Sequence, residues 1–197
     1  ILIGNGPFGV PGFRDLYDSD HEIVAVVTSP LRTGKRAEQQ ATPVRDLAEN
    51  HGSRILEPVS INAPETISEL VSLDADLLVV CDYGQILSPH ALASARLGGV
   101  NLHGSLLPQY RGAAPIAWAI YNGETETGVT VIHMTPEVDA GPCIAKVAAP
   151  VDPEDTCQTL EARLADIGGW ALRRAVDSVE QGNLQALPQD PRLASKA

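Results

Sequence analysis

Asn101, His103 and Asp139 are the residues whose types and spacing invite chemistry. The first two stand two positions apart in Asn101-Leu102-His103-Gly104-Ser105-Leu106-Leu107-Pro108. On an extended strand that spacing turns both side chains to one side, with Leu102 opposite. An amide with an NH2 donor and an imidazole that gains and loses a proton near neutral pH then project together. Gly104 gives the backbone room to turn, and Pro108 fixes the loop. The second acidic loop, Pro136-Glu137-Val138-Asp139-Ala140-Gly141, brings a carboxylate that could orient the imidazole or a water. The plain alternatives are a satisfied strand-end histidine and an ordinary turn aspartate.

The elements that must hold these groups read as alternating strands and helices. Ile1-Leu2-Ile3 opens a strand, a Gly/Pro turn follows, and Val10, Phe13, Leu16 and Tyr17 recur at helical spacing. Ile23 to Val27 is a continuous apolar run, expected to be a strand buried on both faces. Pro43 to Asn50 predicts a helix with Thr42 as N-cap. Strands are expected at 54–56, 77–81 and 99–102, with helices at 64–73, 88–92 and 113–121. Runs 128–134 and 142–151 predict a strand hairpin, and 154–180 a long helix with Leu160, Leu164, Ile167, Ala171, Ala175 and Val179 on one stripe. This alternation predicts an α/β fold: a mostly parallel twisted sheet with helices on both faces. Ligands of such sheets bind outside the carboxyl ends of the strands, where Asn101 and His103 fall.

Composition narrows the class. The 197 residues are 44% apolar and 20% charged, ordinary globular usage. No apolar run approaches the ~18 residues of a membrane span, and no charged start leads into an apolar stretch, so a reducing cytoplasm is the expected compartment. The formal charge of -11 repels phosphate backbones. Cys81, Cys143 and Cys157 form no Cys-x-x-Cys pair, and His21, His51, His90 and His133 lack ligand spacing, so no metal is expected.

Gly4-x-Gly6-x-x-Gly9 matches the dinucleotide fingerprint after a strand. That fingerprint also needs an acid ending the second strand. Here the strand ends Val26-Val27-Thr28-Ser29-Pro30. A tight strand-to-helix turn is therefore the preferred reading, with a nicotinamide-dependent dehydrogenase as the rival from another class.

The Asn101–Pro108 stretch, followed by Tyr110-Arg111-Gly112-Ala113-Ala114-Pro115, resembles the signature of the folate-dependent formyltransferases. Glu126-Thr127-Gly128-Val129-Thr130, Asp139-Ala140-Gly141 and Asp82-Tyr83-Gly84-Gln85-Ile86-Leu87 fit the same pattern in the same order. The resemblance implies a Rossmann-like formyltransferase fold, with Asn101, His103 and Asp139 as the catalytic trio. It also implies 10-formyltetrahydrofolate as formyl donor. Ser105, Leu106, Leu107 and Pro108 match the loop used against folate. Gln85, Ile86 and Leu87, with Thr135, Pro136, Glu137 and Val138, match backbone segments that hold the pterin. Within the family, the Arg-Gly-Ala-Ala-Pro form and the tail Gln189-Asp190-Pro191 most resemble members that formylate methionine on initiator tRNA. Sugar-nucleotide amines and glycinamide ribonucleotide are the alternative acceptors.

For formyl transfer to an amine, the amide and imidazole would stabilise the oxyanion that develops at the formyl oxygen, one such donor contributing about 3–4 kcal/mol. The imidazole would also carry the proton from the attacking nitrogen, typically a gain of about 10²–10⁴-fold. The resemblance implies a catalytic domain over 1–184 and, over 185–197, the start of a linker to an absent C-terminal tRNA-binding domain. Arg32, Lys35 and Arg36 fall where the family inserts a tRNA-contacting loop. A monomer that touches no membrane is expected.

Overall fold

The computed structural model describes residues 1–31, 42–183 and 185–197. Its strands are β1 (Leu2–Gly4), β2 (Val26–Val27), β3 (Ile55–Leu56), β4 (Leu78–Cys81), β5 (Gly99–His103), β6 (Glu126–His133) and β7 (Cys143–Pro150). They form one sheet in the order β3-β2-β1-β4-β5-β6-β7. The first five run parallel, while β6 pairs antiparallel with both β5 and β7. The expected mixed, mostly parallel sheet is therefore present. Chain order turns back between β1 and β4, which opens a crevice at the carboxyl ends of these neighbours.

Strand alternation sends side chains to two separate cores. Leu2, Val26, Val79, Val100 and Leu102 face α1 (Val10–Tyr17), α2 (Pro43–Asn50) and α6 (Cys157–Glu180). Ile3, Val27, Leu78 and Val80 face α3 (Pro64–Ser72) and α4 (Pro89–Leu92). Each such side chain, fully buried, stabilises the fold by about 1.5–3 kcal/mol. The expected stripe on α6 supplies Leu160, Leu164, Ala171, Ala175 and Val179 to the first core.

Several boundaries move for local reasons. The run from Ile23 contributes only Val26–Val27 to the ladder, because its neighbours β1 and β3 are themselves three and two residues long. Thr42 stands at the N-cap of α2, but its hydroxyl bonds the Asp46 carboxylate rather than the helix backbone. Helix α5 (Pro115–Tyr121) starts two residues later than expected, because Ala114 is left-handed at φ 58° and Pro115 takes the first helical position. Helix α6 likewise waits for Thr156, which forms a reciprocal capping box with Thr159.

The segment read as the start of a linker lies along the domain. Leu187 exchanges two 2.8 Å backbone hydrogen bonds with Cys143, and Lys196 bridges to Arg111.

Candidate active site

β5 delivers Asn101 and His103 to the face opposite Leu102, as the alternation requires. Asp139 arrives from the connection between β6 and β7. Its carboxylate joins the three. Oδ1 accepts from Asn101 Nδ2 at 3.3 Å, and Oδ2 lies 3.5 Å from His103 Nδ1. Oδ2 also accepts from the Gly112 amide at 2.9 Å. His103 is 6% exposed and the Asp139 side chain 14%, so the contact between them is largely shielded from water.

The other ring nitrogen, His103 Nε2, lies 2.8 Å from the Tyr110 carbonyl oxygen. A carbonyl only accepts, so Nε2 carries a hydrogen. Nδ1 is then the position whose proton can come and go, beside a carboxylate. Tyr110 and Asp139 both adopt positive φ, 57° and 48°. Such backbone persists only where surrounding contacts over-determine it. Tyr110 is anchored through its hydroxyl, which donates to Glu124 and accepts from Asn122.

The trio lines a cleft of about 560 Å³. That is within the ~300–1,000 Å³ of small-molecule sites. Gln85, Ile86 and Leu87 line it, as do Thr135, Pro136, Glu137 and Val138. Ile86 and Val138 leave apolar surface open there, 64% and 48% exposed. The Gln85 side chain is spent elsewhere, bonded to the backbone of Ile61 and Val59. This stretch therefore offers the cleft main chain and the Ile86 side chain.

Ser105, Leu106, Leu107 and Pro108 are not among the residues that line the cleft. Ser105 and Leu107 are fully buried. Thr130 on β6 holds this loop from below: its hydroxyl donates to the Ser105 carbonyl at 2.7 Å and accepts from the Leu107 amide at 3.1 Å. Leu106 packs over Gly128, where a Cβ would come within 2.6 Å of it. This loop thus forms a supporting turn beside the cleft, which the motif lines from Asn101 to Gly104. Arg32, Lys35 and Arg36 lie outside the described residues.

The glycine turn serves packing. A Cβ on Gly4 would lie 2.4 Å from the Cys81 carbonyl oxygen, and one on Gly6 1.9 Å from Asp82 Oδ2. Asn5 ties the turn to both neighbours, donating to the Tyr83 carbonyl at 2.6 Å and accepting from the Ser29 amide at 2.7 Å. The Asp82 carboxylate thus lies directly against the turn.

Sequence reasoning missed the far wall. Phe8, Asp82, Cys157 and Glu161 line the same cleft. Crowding by the cleft walls raises the Asp82 carboxyl above its ordinary range. Glu161 is raised too, first by burial and then by the Asp82 charge. Burial pushes the Tyr83 phenol up to about 12. The available signal was the i, i+4 spacing of Cys157 and Glu161, which puts both on one face of α6. Gln189 was missed as a site residue as well. It donates to the Asp139 and Gly141 carbonyls, and no local pattern links position 189 to position 139. Among the described residues, no group of three His, Cys, Asp or Glu side chains is arranged to hold a metal ion.

A donor amide and a proton-carrying imidazole, steadied by one carboxylate beneath an organic-sized cleft, suit acyl-group transfer to a nucleophile. Residues 1–176 match the family model described as formyl transferase, and the chain belongs to that family. Over 208 residues it is 50% identical to the methionyl-tRNA formyltransferase of Rhodopirellula baltica, a match taking in 100% of this chain and 62% of that protein. The chain thus spans less than two thirds of that relative's length. Two solved structures share the fold. Glycinamide ribonucleotide transformylase 1 of Symbiobacterium toebii superposes with TM-score 0.77 at 20% identity, over 96% of this chain and 92% of that one. The N-formyltransferase of Helicobacter canadensis, solved with folinic acid and dTDP-3-aminofucose, gives 0.75 at 18% identity, over 100% and 69%.

Proposed function

We propose that this chain is the catalytic domain that passes a formyl group from 10-formyltetrahydrofolate to the amino group of methionine on initiator tRNA. The observation that carries this reading is the single carboxylate of Asp139 shared by Asn101 and His103 within the cleft. The 50% identity to a methionyl-tRNA formyltransferase favours this acceptor over the sugar-nucleotide and glycinamide ribonucleotide alternatives. Folate-bound fold neighbours such as the Helicobacter enzyme support the donor.

The donor would lie along Gln85–Leu87 and Thr135–Val138, whose main chain and apolar side chains suit a flat, partly polar ring. When bound, it supplies a formyl carbon open to an amine. The protein's own part is narrower. Asn101 has two amide hydrogens and gives one to Asp139, which leaves the other for the formyl oxygen. As the amine nitrogen bonds the formyl carbon, His103 Nδ1 would take the proton that the amine must lose, with Asp139 steadying the cation, and would pass it to the folate nitrogen as the bond from that nitrogen to the formyl carbon breaks. About 3–4 kcal/mol from the donor amide and about 10²–10⁴-fold from proton transfer are the expected scales.

Initiator tRNA would need further grip, because a surface of charge -11 repels its phosphates. Residues 185–197 would then lead from the 1–184 catalytic domain to a tRNA-binding domain, with Arg32, Lys35 and Arg36 as local contacts. A monomer working in the cytoplasm fits translation. No described helix is long and apolar enough to cross a membrane.

The test is direct. The protein is mixed with 10-formyltetrahydrofolate and, separately, methionyl initiator tRNA, an amino-sugar nucleotide, glycinamide ribonucleotide or buffer, while folate absorbance is followed. Formyl consumption that depends on methionyl-tRNA is expected. Faster consumption with either nucleotide, or equal consumption in buffer, overturns the acceptor.

A further inference from the structure

We propose that Gln189 is a positioning residue of this site, fixing the turn that presents the Asp139 carboxylate to Asn101 and His103. Its kinetic consequences rest on the formyl-transfer reading; its structural consequence does not.

A primary amide has two donor hydrogens and two acceptor lone pairs. Gln189 spends all of them. Nε2 donates to the Asp139 and Gly141 carbonyls, both at 2.7 Å. Oε1 accepts from Arg111 Nε at 3.0 Å and from Arg111 Nη2 at 2.7 Å. The residues it joins come from opposite sides of the site. Arg111 lies between Tyr110, whose carbonyl takes the His103 hydrogen, and Gly112, whose amide donates to Asp139. Asp139 and Gly141 belong to the β6–β7 connection. One side chain therefore ties together the two loops that set the partners of both His103 nitrogens.

Asp139 needs such a tie. Its φ of 48° lies in the left-handed region, uncommon for a residue other than glycine though Asp enters it more readily than most. The carboxylate is held on its side-chain end by Asn101 and Gly112, but its backbone carbonyl is oriented by Gln189. The turn has little slack at its far end, where a Cβ on Gly141 would fall 1.8 Å from the His133 carbonyl oxygen.

Gln189 is itself pinned from both directions along the chain. Two residues before it, Leu187 pairs with Cys143, the first residue of β7. Beyond it, the Ser195 hydroxyl accepts from the Tyr110 amide at 2.8 Å, and the Ser195 amide donates to the Pro108 carbonyl at 3.2 Å. The segment thus acts as a strap across both loops.

Gln189→Glu isolates the role. A carboxylate keeps the Arg111 contact, made stronger by charge, yet has no hydrogen for the Asp139 and Gly141 carbonyls. Arg192→Ala is the control, since among the described residues the Arg192 side chain pairs with Asp190 alone, in the same segment. Two readouts are taken on the protein: steady-state kinetics with 10-formyltetrahydrofolate and methionyl-tRNA, and the ring signals of His103 in ¹⁵N-histidine-labelled samples. For Gln189→Glu, kcat falls ~10- to 100-fold, the loss expected from misplacing a catalytic group by about 1 Å. KM for the folate changes by less than roughly threefold, since the affected contact is not to the ground-state substrate. The His103 signals move in Gln189→Glu and stay in place in Arg192→Ala. An unchanged kcat, or unchanged His103 signals, overturns the proposal and leaves Gln189 a merely structural residue. If Gln189→Glu does not fold, Gln189→Met, of similar length and without charge, carries both readouts. Should the unsubstituted protein transfer formyl to no acceptor, the functional reading fails while the His103 signals still decide on Gln189.

Discussion

Asp139 faces His103 across 3.5 Å between Oδ2 and Nδ1, on the side of the ring opposite the Tyr110 carbonyl. The ring is thereby given two unlike neighbours. The carbonyl accepts a hydrogen from Nε2, and the carboxylate lies beside Nδ1. Proton traffic is directed to one edge of the imidazole, the edge shared with Asn101 through the same carboxylate.

His103→Ala should therefore lower kcat by about 10²–10⁴-fold, the usual scale for lost acid–base help. Folate affinity should change little, because the ring is 6% exposed and bonded within the protein. Rapid-quench formyl transfer alongside calorimetric folate titration separates the two. Near-normal turnover would reject the assignment.

For Asn101 the order of two substitutions is informative. Asn101→Ala removes a donor and should cost about 10²–10³-fold in kcat. Asn101→Asp should be worse still, since it sets a second carboxylate where an amide now lies 3.3 Å from Asp139 Oδ1. Equal losses in the two variants would show that the added charge does no harm, and near-normal kcat in Asn101→Ala would show that the amide hydrogens do not matter.

Asn101 and His103 were legible as a pair because strand alternation is a rigid rule: they must share a face once β5 is recognised, whereas Asp139 joined them only through the family resemblance. The sheet was legible for a similar reason, since apolar runs such as 78–81 have few alternatives. What stayed hidden was set at a distance. The backbone of Ser105–Pro108 is tied to Thr130 on a later strand, a link that the motif itself does not show. Asp82 meets Glu161 only after α6 folds over the first core. Gln189 reaches Asp139 across fifty positions by side-chain hydrogen bonds, which leave no periodic trace.

The Asp82–Glu161 pair makes a pH prediction. Both carboxyls are raised, by burial first and for Glu161 also by the Asp82 charge. A raised folded pKa means that the group's contribution to stability is complete below the unfolded values of about 4. That contribution is lost as pH climbs through the raised folded value. Glu161→Gln should then raise Tm at pH 7 and do so less at pH 4. Thermal melts at both pH values check this, and a larger gain at pH 4 would contradict it. Solvent entering the cleft screens the pair, so the gain should be modest.

The glycine turn offers the sharpest contrast with the dinucleotide reading. Gly4→Ala drives a Cβ to 2.4 Å from the Cys81 carbonyl oxygen, a backbone atom of β4 that cannot move without breaking the ladder. Overpacking of this kind costs about 1–3 kcal/mol, occasionally more. For a chain of this size each kcal/mol lowers Tm by roughly 2–4 °C. Gly6→Ala meets only the end of the Asp82 side chain, which can swing away, so its Tm should fall less. With no acid ending β2 to hold a ribose, a fluorescence titration with NADH should show no saturable binding. Tight NADH binding, or Gly6→Ala proving the more damaging substitution, would mean that the turn is built for a pyrophosphate after all.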